Sequence, residues 1–246
     1  MRCEGTKGAA KGTAMISGAN RGIGLAVARA LGAAGYRLSL GVRDPSALPG
    51  DLAPFTALTF AYDAGRPADA RAWVASTAEV AGGIDVLVNN AGISTHLGLM
   101  EDPALDDEEA EARLDALLSV NIKAPFLVTR AALPHLCRSG RGRVITLASM
   151  SGKRVLGLNA GYQVTKHAAV ALSNAARRTG WDHGVRATAI CPSFVATDMA
   201  LKHDELNATE ITQPEDLARL VVEMVALPNT ATVAELLVNW RYEAGF

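Results

Sequence analysis

Residues 12–35 run Gly12-Thr13-Ala14-Met15-Ile16-Ser17, then Gly18-Ala19-Asn20-Arg21-Gly22-Ile23-Gly24, then LAVARALGAAG. The first six have the length and apolar content of a buried strand, and the last eleven repeat apolar residues at the helical period. Three glycines lie between them, so the order is strand, glycine-rich turn, helix. Glycine at 18, 22 and 24 lets the chain turn tightly and lets backbone approach a pyrophosphate at the helix N-terminus. Asn20, Arg21 and Ile23 share that turn and are read with it as cofactor-binding. The G-x-x-x-G-x-G spacing differs from G-x-G-x-x-G by an extra residue, and a bare turn would use the same glycines. The strand before it and the helix after it are what point to a dinucleotide.

The cycle repeats along the chain. YRLSLGV (36–42), TALTFAY (56–62), IDVLV (84–88), RVITLA (143–148), VRATAICP (185–192) and AELLVNW (234–240) read as further strands. Helical patterns fall over 66–81 and 113–139, over a stretch that bears Tyr162 and ends near Thr179, and over 214–227, the last with Pro214 as its first helical residue. Strands alternating with helices imply βαβ units and a parallel sheet. Pro125 and Pro134 interrupt the 113–139 pattern without changing its period. The acidic stretch EDPALDDEEAE (101–111) reads as carboxylates that complement the dipole of the following helix.

A chain of 246 residues with 49% hydrophobic content is long enough for one large core. No repeat or low-complexity block marks a second domain. The reading is a flexible tail over 1–11 and one domain over 12–246, with an irregular substrate loop at 193–213. A formal net charge of -1 gives no electrostatic reason to expect a nucleic-acid or anionic-membrane partner. Cys3, Cys137 and Cys191 form no C-x-x-C pair, which argues against a disulfide framework or zinc site and for a reducing, cytoplasmic setting. The first eleven residues lack the apolar core of a signal peptide, no apolar run approaches bilayer length, and no histidine spacing suggests a metal.

Two further constellations follow strands. Asn89-Asn90-Ala91-Gly92 comes after the fourth, where asparagine side chains lock neighbouring backbone and Gly92 can face a ligand at the sheet edge. Tyr162 and Lys166 stand four residues apart, so that on a helix the phenol and the ammonium share one face. An ordinary amphipathic helix would show the same spacing.

Taken together and in order, ISGANRGIG, NNAG, Asn121, Ser149 and Tyr162-x-x-x-Lys166 resemble the short-chain dehydrogenase/reductase family from about Gly12 to Val238. The resemblance implies a single Rossmann-type domain: a doubly wound sheet of seven parallel strands, helices on both faces, and a nicotinamide dinucleotide across the carboxyl strand ends. It makes Tyr162 the general acid/base. Lys166 eases transfer of the phenol proton and holds the nicotinamide ribose. Ser149, thirteen positions before Tyr162, hydrogen-bonds the substrate oxygen, with Ser151 as the neighbouring candidate. Asn121 anchors a water chain to Lys166. The family also implies a homo-dimer or homo-tetramer built through the helices that contain Asn121 and Tyr162.

An acid at the end of the second strand would take a ribose 2′-OH, and an arginine there a 2′-phosphate. The family's acid would fall at Val42, Arg43 follows it, and Arg21 offers a second guanidinium. NADP(H) is therefore expected over NAD(H), with Asp44 keeping NAD(H) possible. The resemblance assigns Asp63 to the adenine amino group, and Asn90, Ala91, Gly92, Pro192, Val195 and Thr197 to further cofactor contacts. Ser193 replaces the family's usual glycine, so a departure of the local backbone path is expected. The pocket should draw on 94–97, 151–158 and 194–207, mixing Leu156, Leu158, Phe194 and Met199 with His96 and His203, which suits an uncharged carbonyl or secondary alcohol. The expectation is an NADP(H)-dependent oxidoreductase of small-molecule carbonyls and alcohols, without a metal. The alternatives are an NAD-dependent alcohol or sugar dehydrogenase and a dinucleotide-sensing module without turnover.

Overall fold

The computed structural model describes residues 10–100, 105–202 and 206–243. Most of the 1–11 tail, the start of the acidic stretch and His203 lie outside the described residues. The strands are β1 (Thr13–Ser17), β2 (Arg37–Val42), β3 (Thr56–Ala61), β4 (Val86–Asn89), β5 (Arg143–Leu147), β6 (Arg186–Pro192) and β7 (Glu235–Val238). They form one sheet in the order β3-β2-β1-β4-β5-β6-β7, and every pairing is parallel. The helices are α1 (Gly22–Ala33), α2 (Pro67–Ala81), α3 (Asp107–Leu118), α4 (Ala124–Ser139), α5 (Ala160–Gly180) and α6 (Pro214–Ala226).

Met15 and Ile16 are adjacent on β1, fully buried, and enter different cores. Ile16 joins Val27 and Leu31 of α1 and Leu217 and Val221 of α6, whereas Met15 joins Trp73 of α2 and Val128 and Leu136 of α4. A strand covered on both faces favours apolar side chains on both, which is why β1 and β4 carry the unbroken apolar runs 14–16 and 86–88 rather than an alternation, while β5 buries Arg143 and Thr146 beside Val144 and Ile145. Helix starts follow local chemistry. Pro214 opens α6 behind a Gln213–Asp216 capping box. Asp106 caps α3 by accepting from the Glu109 N–H at 2.8 Å, with three acids in the first turn.

Between α3 and α4, residues Ser119–Lys123 widen into a π-helical turn in which the Ala124 N–H donates to the Ser119 carbonyl. Pro125 is the cause visible in the sequence, because it has no N–H for the Asn121 carbonyl four residues back. The continuous helical run 107–139 contains an 18-residue window of mean hydropathy 1.3. Contrary to the sequence expectation, one run thus has the length and composition of a bilayer span. Its Val128, Ala132 and Leu136 are buried in the core against the sheet.

The chain passes from β1 outward to β2 and β3, then crosses to β4 on the opposite side of β1. This reversal opens a crevice at the carboxyl ends of β1 and β4, the place where doubly wound sheets bind ligands.

Candidate active site

The turn leaving β1 and the segment leaving β4 are stitched together at that crevice. Asn90 Nδ2 donates to the Ser17 carbonyl at 2.9 Å and to the Gly18 carbonyl at 3.1 Å. Ser17 Oγ accepts from the N–H groups of Asn90 and Ala91, each at 3.0 Å. Ser17 was not among the expected site residues; its signal was a polar group closing an otherwise apolar strand. A Cβ on Gly24 would lie 2.2 Å from the Gly18 carbonyl oxygen and 2.4 Å from Asn90 Nδ2, so the first turn of α1 rests directly on the loop. Arg21 supplies no side-chain cap to α1, and no acid stands in its first turn. Uncapped N–H groups at a helix head, approached through glycine, fit the pyrophosphate of a dinucleotide.

At the end of β2, Val42 and Arg43 line the crevice and Arg43 is exposed. Arg21 reaches Asp198 across the opening, Nη1 to Oδ2 3.1 Å, with both side chains solvent-facing. Asp44 does not line the crevice. Its Oδ1 accepts from the Ser46 N–H at 2.9 Å and the Ser46 hydroxyl at 2.6 Å, and those bonds hold the carboxyl below its ordinary range. Asp63 lines the wall and accepts from the Gly65 N–H at 2.9 Å. Beside it Tyr62 stacks on Trp73 with ring centroids 4.9 Å apart, and burial pushes its phenol up so that it stays neutral.

The chemical end is built from β5 and α5. Ser149 lies two residues beyond β5 and caps the single turn Met150–Gly152, its Oγ accepting from the Ser151 N–H at 3.1 Å. A Cβ on Gly152 would lie 2.4 Å from the Lys166 carbonyl oxygen, so the Ser149 loop packs against α5 at Lys166 itself. Asn159 caps α5, and its Oδ1 accepts from the N–H groups of Tyr162 at 3.4 Å and Leu97 at 3.1 Å, pinning the helix start to the segment after β4. Lys166 Nζ donates to the Leu147 carbonyl at 3.0 Å and sits 5.5 Å from the Tyr162 ring centroid. Asn121 is buried in the π turn. Its Oδ1 accepts from the Ile93 N–H at 2.9 Å, and its Nδ2 donates to the Ile93 carbonyl at 2.9 Å and to Thr165 Oγ1 at 3.1 Å.

One cavity of about 1160 Å³ joins these ends. Gly18, Asn20, Arg21, Gly22 and Ile23 line it together with Arg43, Asp63 and the Asn90–Gly92 segment. Ser149, Tyr162 and Lys166 line the other end, with Pro192, Val195 and Thr197 beside them. Gly24 and Asn121 stand behind the wall: Gly24 supports the turn, and Asn121 props Ile93 next to Gly92. Val195 pairs with Thr212 in an isolated parallel bridge, which gives the 193–213 connection an anchor. Ser193 takes an ordinary backbone conformation, since no described non-glycine residue has positive φ, and its N–H donates to the Val238 carbonyl at 2.8 Å. His96, Ser151, Leu156, Leu158, Phe194 and Met199 line the substrate end, whereas Leu97 lies outside the lining. Gln163, Arg241, Tyr242 and Glu243 also line it and were not anticipated. The last three follow β7, where no motif marks them.

The family model for short chain dehydrogenase matches residues 12–207. An agropine synthesis reductase of Rhizobium rhizogenes is 42% identical over 221 residues, 89% of this chain and 50% of that protein. A second, also from Rhizobium rhizogenes, is 41% identical over the same coverage, so the chain spans about half the length of these curated relatives. A D-beta-hydroxybutyrate dehydrogenase of Cupriavidus necator is 32% identical over 86% of this chain and 82% of its own. The crystal structure of a metagenomic short-chain oxidoreductase in complex with NADP superposes with a TM-score of 0.77 at 29% identity, covering 94% of this chain and 97% of that one.

Proposed function

The chain belongs to the short chain dehydrogenase family, and we propose that it is an NADP(H)-dependent oxidoreductase interconverting a small-molecule carbonyl and its alcohol. The observation that carries this reading is the single cavity with an uncapped helix head and glycine turn at one end and Ser149, Tyr162 and Lys166 at the other. A bound nicotinamide dinucleotide would supply the hydride donor or acceptor.

The protein supplies position and charge. The Gly18–Gly24 turn takes the pyrophosphate, Asp63 the adenine amino group, and the segments at Asn90–Gly92 and Pro192–Thr197 the nicotinamide side. Tyr162 delivers or removes the proton at the substrate oxygen, Ser149 donates a hydrogen bond to that oxygen, and the Lys166 ammonium, 5.5 Å from the Tyr162 ring centroid, holds the ribose. Asn121 holds the Ile93 backbone, and Pro125 has no N–H to offer the Asn121 carbonyl in an α-helical bond, which suits a water leading to Lys166.

Arg43 and Arg21 support the 2′-phosphate. Asp44, the acid that would favour NAD(H), is engaged with Ser46 and outside the cavity lining. The metagenomic relative was solved in complex with NADP, and a 3-ketoacyl-(acyl-carrier-protein) reductase of the same fold in complex with NADH, so a nicotinamide dinucleotide is common to both. We read residues 12–246 as one domain, and exposed Leu118, Phe126 and Val164 on α3, α4 and α5 as a surface that pairs copies of the chain. Cys137 and Cys191 are free thiols, in keeping with a reducing compartment. Following NADPH and NADH absorbance over a panel of ketones and aldehydes tests the reading; a clear NADH preference would remove the cofactor assignment, and absence of turnover with every carbonyl would remove the enzyme.

A further inference from the structure

Gln163 follows Tyr162 on α5 and lines the cavity, yet it is only 5% exposed. A helix position so buried ordinarily takes an apolar side chain, because an amide withdrawn from water must find partners. Here the partners are two consecutive carbonyls of the loop that precedes α5. Gln163 Nε2 donates to the Leu156 carbonyl at 2.6 Å and to the Gly157 carbonyl at 3.3 Å. Gly157, at φ 71°, turns the backbone between the two. Apart from a local bond from the Ala160 N–H to the Leu158 carbonyl at 2.9 Å, no described residue makes another hydrogen bond with residues 155–158. Gln163 Oε1 accepts none from a described residue, so the side chain serves the fold through Nε2.

The loop held in this way turns apolar side chains toward solvent. Leu156 is 64% and Leu158 80% exposed, and both line the cavity that Ser149 and Tyr162 share. On the β4 side the loop is backed by Gly98, where a Cβ would lie 3.3 Å from the Leu158 carbonyl oxygen. Leucines kept in water on a cavity wall are covered when an apolar group enters, and the gain is largest when the backbone carrying them is already ordered. Gln163 orders that backbone one residue from the phenol. We propose that Gln163 is a positioning residue whose amide fixes residues 155–158 as an apolar wall, and that the substrate lays an apolar arm along Leu156 and Leu158. This rests on the oxidoreductase reading above.

The test compares kcat/KM for octan-2-one and butan-2-one in the full chain, followed by NADPH oxidation. Each methylene taken from water is worth up to about fourfold, so octan-2-one should lead by about tenfold or more. Gln163→Met keeps the length of the side chain and removes both donors. It should cut that lead to about threefold or less, expressed in the KM for octan-2-one rather than in kcat. Gly157→Ala strains the same loop from an exposed turn with open space around it, and Leu158→Ser removes one apolar side chain at an exposed position; both should shorten the lead. Trypsin nicking after Lys153 and Arg154 without substrate, read by mass spectrometry, should quicken about tenfold in Gln163→Met and stay at the parent rate in Leu158→Ser. A lead that survives in Gln163→Met, a loss confined to kcat, or nicking at the parent rate in that variant overturns the positioning role. A parent that shows no lead, or one whose lead survives Leu158→Ser, overturns the apolar arm. Refusal of both ketones by a chain that reduces another carbonyl also removes the arm alone, whereas a chain that reduces no carbonyl loses the oxidoreductase reading, and the nicking rates still decide whether Gln163 holds the loop.

Discussion

Lys166 extends past Tyr162, so that its ammonium lies 5.5 Å from the phenol ring centroid while donating to the Leu147 carbonyl at 3.0 Å. The ammonium is thereby anchored to the end of β5, the strand that also delivers Ser149. Replacing Tyr162 by Phe removes one hydroxyl and leaves this scaffold in place. Turnover should fall by about 100- to 10,000-fold, the range for a lost general acid/base, while NADPH affinity, measured by fluorescence titration, stays close to that of the parent. Retained turnover in this variant would show that another group moves the proton.

Gly24→Ala tests the dinucleotide cradle. The new methyl would lie 2.2 Å from a backbone oxygen, which cannot swing aside as a side chain could. Either α1 or the Gly18 turn must shift, and overpacking of this kind costs roughly 1–3 kcal/mol. The expected result is a lower thermal midpoint together with NADPH binding weakened by about tenfold or more, since the displaced atoms border the phosphate site. Unchanged binding would mean that the turn does not hold the pyrophosphate.

Much of this arrangement is legible in the sequence. Strands covered on both faces are mostly apolar, so β1, β4 and β5 stand out as short apolar stretches, and the motifs after them are local in sequence because each belongs to one strand-to-helix turn. The Gly18 turn, Asn90–Gly92, Ser149 and Tyr162 therefore announce themselves separately, and the parallel order brings them together. What escapes is chemistry made by distant partners. Ser193 and Glu243 meet across 50 residues, with no spacing rule to connect them. The retreat of Asn121 behind the wall depends on a π turn whose sole sequence trace is Pro125. Asp44 looks available in the sequence, yet its carboxylate is taken by Ser46.

The cofactor preference should reside largely in Arg43. It is exposed at the end of β2 and lines the cavity, whereas Arg21 already shares its charge with Asp198. Arg43→Ala should lower kcat/KM with NADPH by about tenfold to a hundredfold, the worth of hydrogen bonds to a charged group, and leave NADH kinetics nearly unaltered. The ratio of the two cofactors is the quantity to measure. A parallel loss with both would mean that Arg43 supports the fold of the β2 turn rather than a phosphate.

Cys191 offers a check on the interior beneath the chemical end. It is fully buried on β6 among Ala148, Met150 and Ala189, and burial, with Glu235 adding to it, pushes its thiol up to about 11. Because the folded value is raised, the group's contribution to stability is fully present below the ordinary thiol range and is lost as pH rises through about 11. Two results follow. In the native protein at pH 8, a thiol-directed alkylating reagent should label half-buried Cys137 well before Cys191, with Cys191 reacting only as the chain unfolds. Peptide mass mapping separates these sites from each other and from Cys3. Between pH 8 and 10, the urea midpoint of the parent should decline more steeply than that of Cys191→Ala, which has no thiol to ionise in the unfolded state. Equal slopes, or equally fast labelling of the two cysteines, would mean that the floor under Ser149 opens to solvent in the native protein.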